Sequence, residues 1–150
     1  MLNFSLTKNI RRVHQPKREQ ISKWLAESLT EDYQAVNINI TIVTSKRSQE
    51  LNLQYRGRDY PTNVISLEYS ESRDSFSLLY GDIFLCDDII VEEANKQQKD
   101  ILAHYAHMVI HGILHLQGFE HQTDIDATKM EDLEAQIMER LEFANPYSSK

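Results

Sequence analysis

The chain is poor in residues that crosslink or interrupt a fold. Its one cysteine, Cys86, excludes an internal disulfide and points to a reducing compartment, so a cytoplasmic protein is expected. Four glycines and three prolines among 150 residues leave little material for long linkers, and no internal repeat or low-complexity tract is present. No stretch approaches the run of about eighteen apolar residues that a membrane span needs. The opening M-L-N-F-S-L-T-K-N also lacks a cationic segment followed by an apolar run, so neither a membrane partner nor a signal segment is expected. Basic charge is in deficit too. A formal net charge of -7 argues against a broadly basic nucleic-acid binder, although binding follows the local field and a bound dication adds positive charge to a cleft. What remains is 41% hydrophobic content, enough for one domain spanning residues 1–150 with a sizeable core.

Histidine is unevenly spread. Five of the six lie between His104 and His121, and His111, His115 and His121 follow the pattern H-x3-H-x5-H. Residues four apart on a helix share a face, so His111 and His115 can point the same way. Gly118 can take a positive φ, stop the helix and let the chain turn back to bring His121 round as a third ligand. Three neutral imidazoles with an open fourth position suit a catalytic zinc rather than a structural one, which closes all four positions with protein groups. Nickel, copper or cobalt would also accept three histidines. His14 and His104 read as ordinary polar residues, whereas His107 falls one turn before His111 on the same side and could line the cleft.

The remaining elements follow from periodicity. Alternation at residues 2–6 suggests a first strand. After Pro16, the apolar positions Ile21, Trp24, Leu25 and Leu29 recur at three and four and mark a helix, with Trp24 as a core anchor. Residues 37–44, N-I-N-I-T-I-V-T, form a half-buried strand, and 46–53 a short helix. Gly57 and Pro61 mark a loop carrying Arg56 and Arg58, either of which could deliver a guanidinium to an anionic substrate. Residues 64–67 leave it as a strand that pairs antiparallel with residues 78–86, across an irregular connection at 69–77. An acidic helix begins at Asp87, one of Asp87 and Asp88 being a candidate cap. A second helix, Ile101 to Leu116, is apolar around most of its circumference and is therefore expected to be central. A last helix over about residues 123–143 presents Met130, Leu133, Ile137, Met138 and Leu141 as its inner stripe.

A metal held by three histidines keeps its double charge and acidifies bound water, which supports hydrolysis. The spacing matches the extended metzincin peptidase motif, but the residue after the first histidine, glutamate in those enzymes, is Gly112 here. A peptidase built on this motif lacks its proton acceptor. Phosphodiester cleavage depends at least as much on positive charge against the developing phosphorane, which a dication plus an arginine supplies. Glu120, just before His121, is the nearest carboxylate in sequence and could either hydrogen-bond a ligating imidazole or reach the water.

The run H111-G-I-L-H-L-Q-G-F-E-H121 resembles the H-G-x-L-H-L-x-G-Y-D-H motif of the YbeY family of bacterial metal-dependent endoribonucleases. Two further blocks are similar in order and spacing: Y55-R-G-R-D-Y-P-T-N-V-I-S-L67 to the family's arginine loop with P-T-N-V-L-S-F, and G81-D-I-F-L85 to its G-D-I strand. The resemblance implies zinc ligands at His111, His115 and His121, with Arg56 as the arginine of an RNA-facing cleft. It implies a single-strand-specific endoribonuclease acting in rRNA processing, including 16S rRNA 3' end maturation, and in ribosome quality control, with rRNA and the ribosome or its proteins as partners. The fold it implies is α+β, a small mixed sheet of about four strands packed with about five helices around a central metal-binding helix, which agrees with the element order above. The family's Tyr-Asp before the last histidine is Phe119-Glu120 here, and its Leu-Ser-Phe is Ile-Ser-Leu at 65–67, so a fixed role for Glu120 does not carry over. Two other functions are compatible with the residues. One is a metal-dependent hydrolase of a peptide or small molecule, and the other is a non-catalytic ribosome assembly factor with a structural metal.

Overall fold

A computed structural model describes residues 2–69 and 77–148 of the chain. Along it run β1 (Leu2–Lys8), α1 (Arg18–Ser28), β2 (Ala35–Val43), α2 (Ser45–Arg56), β3 (Val64–Glu68), β4 (Leu78–Cys86), α3 (Asp87–Lys96), α4 (Ile101–Leu116) and α5 (Asp124–Arg140). The strands form one mixed sheet in the order β1-β2-β4-β3. β1 and β4 each pair parallel with β2, and β3 pairs antiparallel with β4, Val64 opposite Leu85. This is the expected α+β architecture, including the β3–β4 pairing. The connection expected at 69–77 falls, at residues 70–76, outside the described residues.

The alternation of β2 explains the layering. Val36, Ile38, Ile40 and Ile42 are buried on the helical face. Asn39 lies on the opposite face, in a polar ladder crossing the sheet: Ser5 Oγ–H donates to Asn39 at 2.8 Å, Asn39 Nδ2–H to Asp82 at 3.0 Å, and the Tyr69 hydroxyl to Asp82 at 2.7 Å. One face is thus apolar and covered, the other hydrated. α4 occupies the covered face, packed against β3, β4, α1, α3 and α5. Val109, Ile110, Ile113 and Leu114 are fully buried there, each contributing about 1.5–3 kcal/mol. Asp100 caps the N-terminus of α4, accepting the Ala103 N–H at 3.4 Å, and Thr123 caps α5 through Asp126 N–H at 3.1 Å.

Three details differ from expectation. α2 runs on to Arg56 rather than ending at 53; Ser48, Leu51 and Asn52 make its buried face, and Leu53 is half exposed. Gly57 then closes it with φ 70°, its N–H reaching the Leu53 carbonyl at 3.1 Å. Arg56 is therefore the last helical residue and not part of the loop. Neither Asp87 nor Asp88 caps α3, where Cys86 holds the cap position without a side-chain bond. Asp87 is instead fully buried. It accepts hydrogen bonds from Arg12 Nη1 at 2.6 Å, His14 Nε2 at 2.9 Å and the Tyr105 hydroxyl, while Arg12 also reaches Asp88 at 2.6 Å. His104 is likewise no surface residue. It is buried on α4 and bonded through Nε2 to Glu93 at 2.8 Å.

Candidate metal centre

The site is assembled at the C-terminal end of α4. His111 and His115 lie one turn apart with their rings 4.5 Å from centroid to centroid. The helix then ends in a Schellman motif: Phe119 N–H reaches the Leu114 carbonyl at 3.1 Å and Gly118 N–H the His115 carbonyl at 3.0 Å, with Gly118 at φ 97°. Phe119 packs partly buried against the core and fixes the direction of exit. The returning chain brings the His121 ring to 4.9 Å from His115 and 5.5 Å from His111. One nitrogen from each ring lies within 4.8 Å of the others, and among the described residues no fourth histidine, cysteine or carboxylate joins the group. Three convergent imidazoles are a donor set that could hold one divalent metal ion.

The surroundings keep these rings available as neutral ligands. Burial, then the neighbouring His111 and His121, push His115 down to about 4, so its imidazole is uncharged at neutral pH. His111 Nδ1–H donates to Glu134 Oε2, which leaves its Nε2 3.1 Å from His115 Nε2 and directed into the cluster. Two imidazole nitrogens at this separation are suited to sharing a cation. Glu134 itself is completely buried on α5, with His107 Nε2 at 3.1 Å and the Tyr147 hydroxyl also bonded to it. Burial works to raise its pKa, yet the hydrogen bonds from His107 and His111 hold it down to about 2. None of these partners is a lysine or arginine, so a dication held by His111 would supply the balancing charge that a buried carboxylate requires. The residues present therefore fit a divalent metal.

The cluster opens into a cleft of about 920 Å³ whose walls include Arg56, Arg58, Glu120 and Tyr147. The arginine loop is held there by α2. Ser48 Oγ–H donates to the Thr62 carbonyl at 2.9 Å and Asn52 Nδ2–H to the Tyr60 carbonyl at 2.8 Å, while Asn63 Nδ2–H reaches Glu93 at 3.0 Å. Desolvation and the adjacent Arg58 push the Arg56 pKa below the ordinary arginine value, a sign of two cations sharing one rim. Glu120 is exposed on the cleft wall beside His121. The carboxylate that orients a histidine of the trio is Glu134, which the residue pattern did not single out. Its signal was in the sequence, since position 134 is in helical phase with Met130, Ile137, Met138 and Leu141, and a carboxylate on an apolar stripe needs a partner.

Gly112 faces the sheet rather than the cleft. A Cβ there would sit 3.1 Å from Ser66 Oγ and 3.2 Å from Ile83 Cγ2, and Ser66 Oγ–H donates to the Gly112 carbonyl at 3.0 Å. A glutamate at this position would push an unpaired carboxylate against Ile83. Gly112→Glu is accordingly expected to lower stability by at least about 3 kcal/mol in a denaturant titration and to confer no peptide hydrolysis.

A small mixed sheet whose central helix ends in three convergent histidines defines a metal-binding α+β protein with an open, arginine-flanked site. A family profile described as "Endoribonuclease YbeY" matches residues 4–142. The chain belongs to the YbeY family. It is 40% identical over 132 residues to Endoribonuclease YbeY of Cupriavidus pinatubonensis, a match covering 88% of this chain and 63% of that relative, so the chain spans less than two thirds of the relative's length. The solution structure of TM1509 from Thermotoga maritima is similar in fold, with a TM-score of 0.55 at 23% identity over 99% of this chain and 100% of that one.

Proposed function

We propose that this chain is a cytoplasmic, zinc-dependent, single-strand-specific endoribonuclease acting in rRNA processing, including 16S rRNA 3' end maturation, and in ribosome quality control. The observation that carries this is the placement of two guanidinium groups in the same cleft as three convergent imidazoles. His111, His115 and His121 would hold a divalent ion, which would supply Lewis acidity and lower the pKa of a bound water. Arg56 and Arg58 face phosphate oxygens with charge-assisted hydrogen bonds and oppose the charge that develops on them. Among the described residues, Glu120, exposed on the same wall beside His121, and Glu68 are the two carboxylates lining the cleft, and Glu120 is the one next in sequence to a histidine of the trio. Membership of the family supports RNA, and through it the ribosome or its proteins, as the partner. A peptide-directed hydrolase is disfavoured by the sheet-facing Gly112 and by the arginines.

The test is cleavage of a single-stranded RNA oligomer by untagged protein, before and after chelation and again after zinc is restored. Cleavage that persists through complete metal removal would end the proposal. Arg56→Ala is expected to keep its metal content while cleaving about 100-fold more slowly under single-turnover conditions. Unchanged kinetics would remove Arg56 from the chemistry.

A further inference from the structure

We infer that Tyr147 and Glu134 are positioning residues for the metal centre, so that the segment after α5 sets how His111 presents its nitrogen. This rests on the metal-binding reading above. His111 has two ring nitrogens, and only an unprotonated Nε2 can face a cation shared with His115. The bond from Nδ1–H to Glu134 places the proton on the far side of the ring and fixes its rotation. Glu134 does this from a fully buried position, which it holds by accepting on both oxygens: His111 on Oε2, and His107 Nε2 at 3.1 Å together with the Tyr147 hydroxyl on Oε1.

Tyr147 is brought there by a short, pinned segment. Lys99 Nζ donates to the Pro146 carbonyl at 2.8 Å, and Tyr147 N–H to Asn145 Oδ1 at 2.8 Å. The Tyr147 ring meets His107 edge-on at 5.3 Å between centroids, its hydroxyl 3.1 Å from His107 Nε2. One side of the ring forms cleft wall while the hydroxyl holds Glu134. The Tyr147 hydroxyl and the metal-facing imidazole are therefore joined through a single carboxylate. Removing that hydroxyl leaves Oε1 with His107 alone and loosens the carboxylate that orients His111.

A merely structural role, holding α5 to α4, would change stability without changing affinity for metal. The experiment is competition for zinc(II) between the untagged 150-residue chain and a chromophoric chelator, with thermal unfolding of the metal-free protein measured alongside. Glu134→Gln is expected to weaken zinc binding by about 10- to 100-fold. Tyr147→Phe is expected to weaken it by a smaller factor, up to about tenfold, with the metal-free midpoint close to that of the parent chain. Parent-like zinc affinity in Tyr147→Phe overturns the inference, and it decides the matter alone if Glu134→Gln does not fold. His115→Ala separates the two levels. Should it also bind zinc like the parent, the metal-site reading itself fails, whereas zinc loss in His115→Ala with parent-like Tyr147→Phe overturns this inference and leaves the metal-site reading standing.

Discussion

His115→Ala is expected to purify without a stoichiometric metal ion and to show no RNA cleavage above background, while keeping its fold. His115 is the middle member of the trio, its ring 4.5 Å from His111 and 4.9 Å from His121. Without it the remaining pair is 5.5 Å apart, and two imidazoles from a helix and an exposed turn make a weak site. The fold should survive because His115 is the half-buried end of a helix anchored by Ile110, Ile113 and Leu114. Elemental analysis of untagged protein, with circular dichroism as a control, checks this. A normal metal content would exclude His115 as a ligand.

Asp87→Ala is expected to be the most destabilising change outside the core, by about 2–4 kcal/mol out of the roughly 5–15 available to a domain. The loss has two sources. Tyr105, fully buried, keeps a hydroxyl with no acceptor, and the clip from Arg12 and His14 to the start of α3 is gone. Urea unfolding measures it, and a change below about 1 kcal/mol would show the cluster to be dispensable. The pH dependence has a definite sign. Burial would raise the Asp87 carboxyl, but hydrogen bonds from Tyr105, His14 and Arg12 overcome it and hold the pKa below the ordinary aspartate value of about 3.9. The stabilisation is therefore complete above that value and is lost as pH falls from there through the lower folded pKa. Asp87→Asn, which can still accept from Tyr105, should fold while losing part of this acid-limb dependence.

These two positions also show what could be read from residue order. The histidine trio was legible because it is local: helical phase sets His111 beside His115, and one glycine able to adopt φ 97° returns the chain to His121. The burial of α4 was legible for a similar reason, since a helix apolar on nearly every side has to be covered by its neighbours. In sequence Asp87 is only a candidate cap, because an acidic first turn is ordinary for a helix. Its burial depends on Arg12, His14 and Tyr105, residues from two other parts of the chain.

Gly112 gained a steric meaning that spacing alone did not carry. In the motif it is the place of an absent glutamate, and in the fold it is the contact of α4 with Ser66 and Ile83. Arg56 lines the cleft from the last turn of α2 rather than from the loop, because the helix runs on until Gly57 closes it.

By itself, then, the sequence determined the helices and strands, the apolar face of each, and a metal site formed within one helix and its turn, all set by periodicities of a few residues. Only tertiary structure decided which carboxylate steadies that site, which arginines share its cleft, and that a tyrosine from beyond α5 completes it. Glu134 meets His111 across 23 positions of sequence and Tyr147 meets His107 across 40, while Arg56 lines the same cleft from far earlier in the chain. Contacts of that range are made by packing α4 against the sheet and α5, and no local pattern encodes them.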